Sequence, residues 1–428
     1  MTIDRRKFLK YGAGAGAVGL AGFAAPGLAL GQIMPKGGPR VIVVGGGWGG
    51  ATAAKYIRMQ DPAIEVILIE PEPVFRSCPI SNWVIGGLKT MADITMSYDA
   101  LARRHGVKVI QDSVIAIEPD AKRVRTFGGD IEYDRLVVSP GISFIYDDIA
   151  NLEFNTDIFP AAWKAGPETQ QLRDELQAME DGGTVVLSIP LGPFRCPPGP
   201  YERTSLIADY LKRNKPRSKI IVLDANQKII SKGKMFKAAW DDLYDGIIDY
   251  RPDNKVIGVD RDTRTLMTDF DEIRADVANV IPPQRANNLL GVSGLRPAGK
   301  RWAPVNPVTY ESTVHADIHI TGDSTDATTV GKVPKSGFIA NSMGKVAAGA
   351  VVALMNGREP PRPSMANTCY SLVSAEEAIS VTAVYDLDDA TGKMAAIEGA
   401  KGLSPGRSRL TAQNAEDWAT AIWSDMLG

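Results

Sequence analysis

Residues 41–50 read Val-Ile-Val-Val-Gly-Gly-Gly-Trp-Gly-Gly, and this stretch decides the fold. Its first four residues form a short, β-branched apolar run, which is typical of a strand buried on both faces of a parallel sheet. A helix is predicted from residue 49 to about residue 60, and the apolar run at 65–70 predicts a second strand. Strand, helix and strand make a βαβ unit, so we expect an α/β protein.

The glycines of this stretch follow the spacing G-x-G-x-x-G at Gly45, Gly47 and Gly50. Gly45 permits the tight turn after the strand, Gly47 lets the backbone approach a pyrophosphate, and Gly50 allows the helix to pack closely. The helix N-terminus attracts phosphates, and Glu70 at the end of the second strand is placed to bind a ribose 2'-hydroxyl. The motif in this context predicts a dinucleotide site.

Two later segments indicate that the dinucleotide is FAD. Gly322 and Asp323 follow a predicted strand at 315–320. Their placement resembles that of the aspartate that binds the ribityl-phosphate end of an extended FAD in two-dinucleotide flavoproteins. Pro140 and Gly141, which follow another predicted strand, are assigned to the same cofactor site.

A second βαβ-like unit has predicted strands at 184–189 and 219–224. The loop after its first strand, residues 190–200, is rich in proline, where a nicotinamide-binding domain would place glycines. Proline has no N–H and a fixed φ, so this loop is poorly suited to bind a pyrophosphate. We therefore do not expect NAD(P)H to supply the electrons.

The composition excludes several classes of function. The chain has 428 residues, 44% of them hydrophobic, which is enough for two or three domains with cores. Its 48 Lys and Arg against 50 Asp and Glu give a formal charge of -2 without a long block of one sign, so no nucleic-acid partner is expected. Three cysteines without a clustered Cys/His motif predict no metal, iron–sulfur or haem c site, so any haem must belong to another chain.

Residues 1–30 have the pattern of an export signal. Arg5 and Arg6 precede Phe8 and Leu9 in a charged segment, and an apolar stretch rich in Gly and Ala follows. This order resembles a twin-arginine signal. A membrane-anchoring helix is the alternative, but its many glycines make the stretch only weakly apolar. We expect a periplasmic protein without stable membrane insertion, folded before export.

The three cysteines, Cys78, Cys196 and Cys369, lie far apart in the sequence. Cys196 lies in the proline-rich loop after a predicted strand, where open α/β sheets place ligands. If Cys196 and Cys369 meet, they form a disulfide between two domains. That bond is either a structural staple or, beside a flavin, a redox centre that exchanges two electrons.

Five sequence blocks resemble the flavoprotein subunit of flavocytochrome c sulfide dehydrogenase, a sulfide:cytochrome c oxidoreductase. The blocks are residues 43–57, Pro193-Phe-Arg-Cys-Pro-Pro-Gly-Pro-Tyr-Glu-Arg203, Ile281-Pro-Pro-Gln-Arg-Ala286, Pro334-Lys-Ser-Gly337 and Asn367-Thr-Cys-Tyr370. The resemblance runs from about residue 39 to about residue 385 and is weak in the tail.

The resemblance implies two Rossmann-like dinucleotide-binding domains of glutathione-reductase type and a C-terminal α+β domain. It also implies a c-type cytochrome subunit as the partner in a heterodimer. The expected boundaries are a signal peptide at 1–30, a discontinuous FAD-binding domain at 36–155 and 290–358, an NAD-domain-like domain without nucleotide at 156–289, and a flavin-covering and interface domain at 359–428.

The same resemblance implies roles for individual residues. In that family a cysteine after the second strand is bonded through sulfur to the flavin 8α-methyl, and Cys78 occupies the matching position. Cys196 and Cys369 are implied to form a redox-active disulfide that hydrosulfide attacks, which leaves a persulfide and a thiolate, the latter placed on Cys369. Glu202 is implied to shuttle protons, with a surface carboxylate paired with Arg203 as the alternative.

The fourth block completes the cofactor site with Lys335, Ser336 and Gly337. Lys335 is expected to place positive charge near the reduced flavin, with a solvated lysine as the alternative. Trp423 is expected to cover the flavin from the tail.

The expected activity is oxidation of sulfide to sulfur or polysulfide, and two other catalytic functions compete with it. A sulfide:quinone oxidoreductase uses the same chemistry but needs an apolar amphipathic surface in the tail. Residues 386–428 carry many charges and favour the cytochrome-linked activity over it. An accessory flavoprotein reductase that reactivates a sulfur-carrier protein is hardly distinguished by sequence, whereas the FAD motif and the cysteines disfavour a subunit that only docks a cytochrome.

Overall fold

The computed structural model describes residues 33–34 and 36–428. The export signal predicted at 1–30 lies outside the described residues. The described chain contains two parallel sheets with their helices and a C-terminal antiparallel sheet with one long helix. This architecture confirms the predicted fold class.

The first parallel sheet is built around the predicted strand at 41–44. Ile42 and Val44 pack into one hydrophobic core, and Val41 and Val43 pack into another. The strand is therefore buried on both faces, as its unbroken apolar run predicts. The five parallel strands, in spatial order, are Ile318–Ile320, Arg135–Val138, Arg40–Val44, Glu65–Ile69 and Lys108–Ile110.

Two helices, Trp48–Gln60 and Gly337–Met355, pack closely beside this sheet. A Cβ atom at Gly344 would lie 2.5 Å from the carbonyl oxygen of Gly49, so only glycine allows this approach. The helix Gly337–Met355 is long and apolar enough to span a membrane, but 67% of its apolar window is buried inside the protein. It therefore serves as a core helix.

Smaller sheets and short helices connect the strands of the first parallel sheet. One four-stranded sheet consists of Ile33–Met34, Asp130–Glu132, Arg123–Thr126 and Val114–Glu118. Two-stranded sheets pair Val74–Arg76 with Thr95–Ser97 and Ile142–Phe144 with Gln284–Ala286. The short helices are Ser81–Ile85, Asp99–His105, Asn288–Val292 and Ala327–Val330, with 3-10 turns at Ala92–Ile94, Leu152–Phe154 and Gly322–Ser324.

The second parallel sheet contains the strands predicted at 184–189 and 219–224, and the first and last residues of both strands are as predicted. Its strands, in spatial order, are Ile248–Arg251, Lys219–Asp224, Thr184–Ile189 and Val277–Val280. The helices that accompany it are Pro167–Ala178, Gly199–Asn214 and Gly233–Leu243, and a three-stranded antiparallel sheet comprises Val256–Asp260, Thr265–Thr268 and Glu272–Arg274.

Asp224 ends the second strand of this sheet, at the position where a nicotinamide-binding domain would offer a carboxylate to ribose. Its Oδ2 accepts hydrogen bonds from the hydroxyls of Tyr201 (2.8 Å) and Tyr250 (2.9 Å). Its Oδ1 accepts from Nδ2 of Asn226 at 2.7 Å. Both carboxylate oxygens are thus bonded to side chains of the protein itself.

The C-terminal segment forms an antiparallel sheet and a helix. The strands are Ser364–Leu372, Ala378–Asp388 and Lys393–Leu403, and the helix is Arg409–Leu427. Asp425 on this helix accepts hydrogen bonds from the hydroxyl of Tyr56 at 2.6 Å and from Nδ2 of Asn341 at 2.8 Å. The C-terminal helix is therefore fixed to the two helices beside the first sheet.

Two predicted elements begin later than expected. The strand predicted at 315–320 begins at Ile318, because Asp317 has a φ of 63°, which is not a strand conformation. The helical segment predicted from about residue 160 begins at Pro167, the first helical position, where proline is favoured.

Candidate functional site

A cavity of about 430 Å³ lies at the carboxyl ends of the first parallel sheet. Its wall contains every predicted cofactor residue except Gly50: Gly45, Gly47, Glu70, Cys78, Pro140, Gly141, Gly322, Asp323, Lys335, Ser336 and Gly337. Gly50 lies beneath the loop, where a Cβ atom would collide with the carbonyl oxygen of Gly45. Its place in the structure agrees with the packing role predicted for it.

The glycine loop has the geometry of a phosphate-binding turn. Gly45 has a φ of 94°, and a Cβ there would lie 2.5 Å from the carbonyl oxygen of Ser139. At Gly47 a Cβ would meet no atom within 4 Å, so the backbone there faces open space. Gly47 caps the helix Trp48–Gln60 without a side-chain hydrogen bond, which leaves the first N–H groups for a ligand. The loop therefore fits the pyrophosphate of FAD.

Glu70 stands at the ribose position and also holds the glycine loop. Its carboxylate accepts hydrogen bonds from the backbone N–H of Gly46 at 2.6 Å and of Glu72 at 3.0 Å. Burial raises the pKa of this carboxyl group. Binding of a ribose hydroxyl by Glu70 stays a prediction.

Lys335 lies beside the Asp323 turn, as predicted, and its ammonium group is bonded to that turn. Its Nζ donates to the carbonyl oxygens of Asp323 (2.9 Å) and Thr325 (2.6 Å) and lies 3.8 Å from the ring centre of Trp302. Burial lowers the pKa of Lys335 to about 8. This lysine is thus held by carbonyl groups in the cavity wall rather than solvated in the bulk.

Cys78 is half-buried in the wall of the cavity. Its sulfur accepts hydrogen bonds from the backbone N–H of Ala165 at 3.3 Å and from Nη2 of Arg195 at 3.4 Å. Lys164 also lines this cavity. Two hydrogen-bond donors and a lysine therefore surround Cys78 in the wall of the cavity that fits FAD.

A second cavity of about 40 Å³ adjoins the first and contains the other two cysteines. Cys196, Ser336 and Gly337 line both cavities, whereas Cys369 and Glu202 line the second. The rest of its wall is mainly apolar and includes Ile80, Trp83, Phe338, Tyr370 and Trp418. Both thiols are free in this structure, so the disulfide stays a prediction.

The two cysteines are held by different elements. Cys196 has a φ of 54°, and its N–H donates to the carbonyl oxygen of Lys335 at 2.7 Å. Desolvation of its thiol, together with the nearby Cys369 and Glu202, raises the pKa of Cys196. Cys369 lies on the strand Ser364–Leu372, where its sulfur accepts from Nδ2 of Asn367 at 3.3 Å.

Glu202 is a buried carboxyl group with three hydrogen-bond donors. It accepts from Nδ2 of Asn82 (2.9 Å), Nε1 of Trp83 (3.2 Å) and the N–H of Leu372 (2.9 Å). Burial raises the pKa of Glu202. The alternative of a surface carboxylate paired with Arg203 is wrong, because Glu202 is 4% exposed and Arg203 donates to Oδ1 of Asn82.

Three family models match parts of the chain. A central domain of the flavoprotein chain of flavocytochrome c sulfide dehydrogenase matches residues 169–282, and the flavin-binding domain of the same family matches residues 361–427. The pyridine nucleotide-disulphide oxidoreductase model matches residues 39–159. The flavoprotein chain of sulfide dehydrogenase from Chlorobaculum thiosulfatiphilum is 58% identical over 48 residues, which are 11% of this chain and all of the relative's sequence.

The chain belongs to the sulfide-oxidising flavoprotein family. That family includes sulfide:quinone oxidoreductases, several of which are also similar to this chain. The sulfide-quinone reductase of Aquifex aeolicus is 32% identical over 151 residues, 35% of this chain and 34% of the relative. The mitochondrial enzyme of Dictyostelium discoideum is 21% identical over 302 residues, 68% of this chain and 66% of the relative. The chain thus matches less than two thirds of either relative's length.

The fold is that of a solved member of the same family. The crystal structure of the Aquifex aeolicus sulfide:quinone oxidoreductase superimposes with a TM-score of 0.76 and covers 91% of each chain at 19% identity. The family is FAD-binding, which agrees with the glycine loop and the cavity described above.

Lys232 also belongs to the cysteine site of this chain, and the sequence analysis did not predict that role. Its Nζ donates to the carbonyl oxygen of Cys369 at 2.8 Å and to Oγ of Ser371 at 2.8 Å. Burial lowers the pKa of Lys232 to about 8. A lysine beside a glycine in a polar loop gives no signal of burial in a sequence.

Trp423, which was expected to cover the flavin, lines neither cavity, whereas the tail contributes Trp418 to the wall of the second cavity. The ring of Trp418 stacks on that of Trp48 with centroids 5.9 Å apart and planes 6° apart. Because Trp48 begins the helix after the glycine loop, this contact joins the tail of the flavoprotein to its dinucleotide motif.

Proposed function

We propose that the protein oxidises hydrogen sulfide to sulfur or polysulfide with a redox-active Cys196–Cys369 disulfide and passes the electrons to a c-type cytochrome subunit. The observation that carries this proposal is that Cys196 lines both cavities. One cysteine thereby borders both the small pocket that suits sulfide and the larger cavity that suits FAD. Family membership supports sulfide as the substrate.

FAD would be held by the glycine loop, Glu70 and Asp323, and covalently through Cys78. Bound there, FAD supplies a two-electron acceptor that returns electrons singly to haem. The chain supplies the walls of both cavities and the charged groups near the thiols. The mainly apolar wall of the small cavity limits its water content, which strengthens electrostatic interactions inside it.

The first step is thiol–disulfide exchange by hydrosulfide. Hydrosulfide attacks the sulfur of Cys196, a new S–S bond forms there, and the bond to Cys369 breaks. Cys196 becomes a persulfide, and Cys369 leaves as a thiolate with the electron pair. The disulfide is the oxidant of this step, and the incoming sulfur is the atom oxidised.

Glu202 is placed to take the proton of hydrogen sulfide. It lines the same small cavity as both cysteines, and its pKa is raised in the direction of neutral pH. A general base is most effective when its pKa lies near the pH of the reaction. A buried base whose pKa is raised is ionised only above that raised value. Activity is therefore expected to increase as the pH rises through the pKa of Glu202.

Glu202→Gln is expected to lower kcat/KM for sulfide by about 10²–10⁴-fold, because the proton acceptor is lost while the side-chain volume is kept. The acidic limb of the pH profile should also disappear. Steady-state rates between acidic and alkaline pH measure both effects.

Glu168→Gln provides the matched control. The carboxylate of Glu168 accepts from the N–H of Ala162 at 2.8 Å but does not line the small cavity. An unchanged pH profile in Glu202→Gln, or an equal change in Glu168→Gln, would contradict the role of Glu202.

The cytochrome partner and the periplasmic location are supported by separate observations. Residues 169–282 and 361–427 match flavocytochrome domains, and residues 1–30 resemble a twin-arginine signal. The test is sulfide-dependent reduction of cytochrome c by the purified protein, compared with reduction of a soluble quinone. We expect cytochrome c to be reduced much faster, and a haem chain to copurify.

A sulfide:quinone oxidoreductase is the second candidate, because several such enzymes are similar in sequence and one is similar in fold. It predicts the opposite result in the same assay. Fast quinone reduction without reduction of cytochrome c would replace the first proposal by the second.

A further inference from the structure

Lys232 is a buried lysine of the second parallel domain, and its side chain is bonded to the C-terminal sheet. It precedes the helix Gly233–Leu243, is 7% exposed and has a φ of 55°. A left-handed backbone is uncommon for a lysine, and a charged group of this kind is seldom buried without a partner. Its position is therefore unlike that of an ordinary surface lysine.

Both hydrogen-bond acceptors of Lys232 lie on the cysteine strand. The ammonium group donates to the carbonyl oxygen of Cys369 and to Oγ of Ser371, each at 2.8 Å. Neither acceptor carries a formal charge. A buried cation with neutral partners is stabilised by an anion that forms close by.

The acidic groups that act on Lys232 are Cys369, Glu202 and Cys196, and the effect of Cys369 is the largest. At Cys196, desolvation, Cys369 and Glu202 oppose ionisation, whereas Lys232 and Arg195 favour it, and the net result is a raised pKa. The ammonium group of Lys232 is bonded to the backbone of Cys369, so the buried cation is held on the strand that carries Cys369.

We propose that Lys232 is a positioning residue that stabilises the Cys369 thiolate and so makes Cys369 the leaving sulfur when the disulfide opens. When hydrosulfide bonds to Cys196, the Cys196–Cys369 bond breaks and its electron pair stays on Cys369, beside the ammonium group. The better-stabilised thiolate leaves faster. That Cys369 is the leaving sulfur rests on the proposed function, whereas the stabilisation of its thiolate by Lys232 does not.

The test measures alkylation of each thiol in the full-length, FAD-loaded protein after reduction with a phosphine. Iodoacetamide is added between acidic and alkaline pH, and mass spectrometry of peptides gives separate rates for Cys369 and Cys196. In the unmutated protein Cys369 should react faster at neutral pH. In Lys232→Met its rate at neutral pH should fall by about tenfold, because an opposite charge is removed, and recover at higher pH.

Two variants separate charge from structure. Lys232→Arg keeps the cation and should keep the fast reaction of Cys369. Lys212→Met removes a lysine that donates to the carbonyl oxygen of Leu243 at 2.8 Å on the same domain, and it should leave both rates unchanged.

The proposal is overturned if Lys232→Met and Lys232→Arg slow Cys369 equally, or if the loss in Lys232→Met is the same at every pH. If Lys232→Met fails to fold, the unmutated protein decides: Cys196 reacting as fast as Cys369 at neutral pH overturns the proposal. A protein that retains the fast Cys369 thiolate but oxidises no sulfide would refute the proposed function alone.

Discussion

Cys196→Ser is expected to reduce sulfide-dependent electron transfer by roughly a thousandfold or more, a loss on the scale seen when an enzyme's nucleophile is removed. A serine oxygen can form neither the disulfide with Cys369 nor the persulfide with the incoming sulfur. The measurement is sulfide-dependent reduction of cytochrome c, with flavin content determined on the same sample. Cys369→Ser should show a loss of the same order, because either cysteine alone cannot form the disulfide that oxidises the incoming sulfur.

The structural-staple interpretation of the same two cysteines predicts a different outcome. A disulfide that only links two domains stabilises the fold by about 2–4 kcal/mol, so its loss would lower the unfolding midpoint and leave turnover nearly intact. Denaturant unfolding of Cys196→Ser therefore accompanies the rate measurement. Normal turnover with reduced stability would identify the bond as a staple and remove the redox mechanism.

The fold could be predicted from sequence where its signals are local. Four consecutive apolar residues at 41–44 specify a doubly buried strand, and Gly45 and Gly50 sit where a Cβ would strike a neighbouring carbonyl group. The apolar run and the glycine motif are each contiguous in sequence, so one sequence exposes them, although the carbonyl group that Gly45 approaches belongs to the distant Ser139. The same reasoning located the cofactor cavity, because strand ends meet at one edge of a parallel sheet.

The cysteine site could be predicted only in part, since its environment is made by residues distant in sequence. Lys232 is buried by a strand more than a hundred positions away, and its charge therefore has no local signature. Glu202 and Arg203 are neighbours in sequence, which suggested an ion pair. Adjacent side chains on a helix do not face each other, and both instead bond to Asn82 on a different helix.

The residues of the small cavity come from different parts of the fold. Cys196 comes from the loop after the first strand of the second parallel sheet, Cys369 from the C-terminal sheet, and Ser336 from the N-cap of the helix Gly337–Met355. Residues 79–83 and the C-terminal helix complete its wall, so the small cavity is assembled where five segments of the chain meet. A change that loosens the C-terminal sheet should therefore affect the thiols before it affects the glycine loop.

Cys78→Ser is expected to release all of its FAD when the protein is denatured, because the thioether that we propose at Cys78 cannot form. The reason lies in the position of Cys78, which lines the cavity that fits FAD and whose sulfur accepts hydrogen bonds from Arg195 and Ala165. A serine at the same place has no sulfur and cannot form the thioether. Acid denaturation followed by intact-mass measurement distinguishes a chain with bound flavin from an unmodified chain.

The matched control for this prediction is Cys196→Ser, because Cys196 also lines the flavin cavity. It should keep the flavin attached after denaturation, because Cys78 is unchanged. Release of all FAD from the unmutated protein would refute the thioether, and retention of FAD by Cys78→Ser would move the attachment to another residue. Attachment and turnover are measured separately. If the cysteine pair carries the reaction, a Cys78→Ser protein reloaded with FAD should still oxidise sulfide. This result would separate the role of Cys78 in holding the cofactor from that of Cys196 in the chemistry.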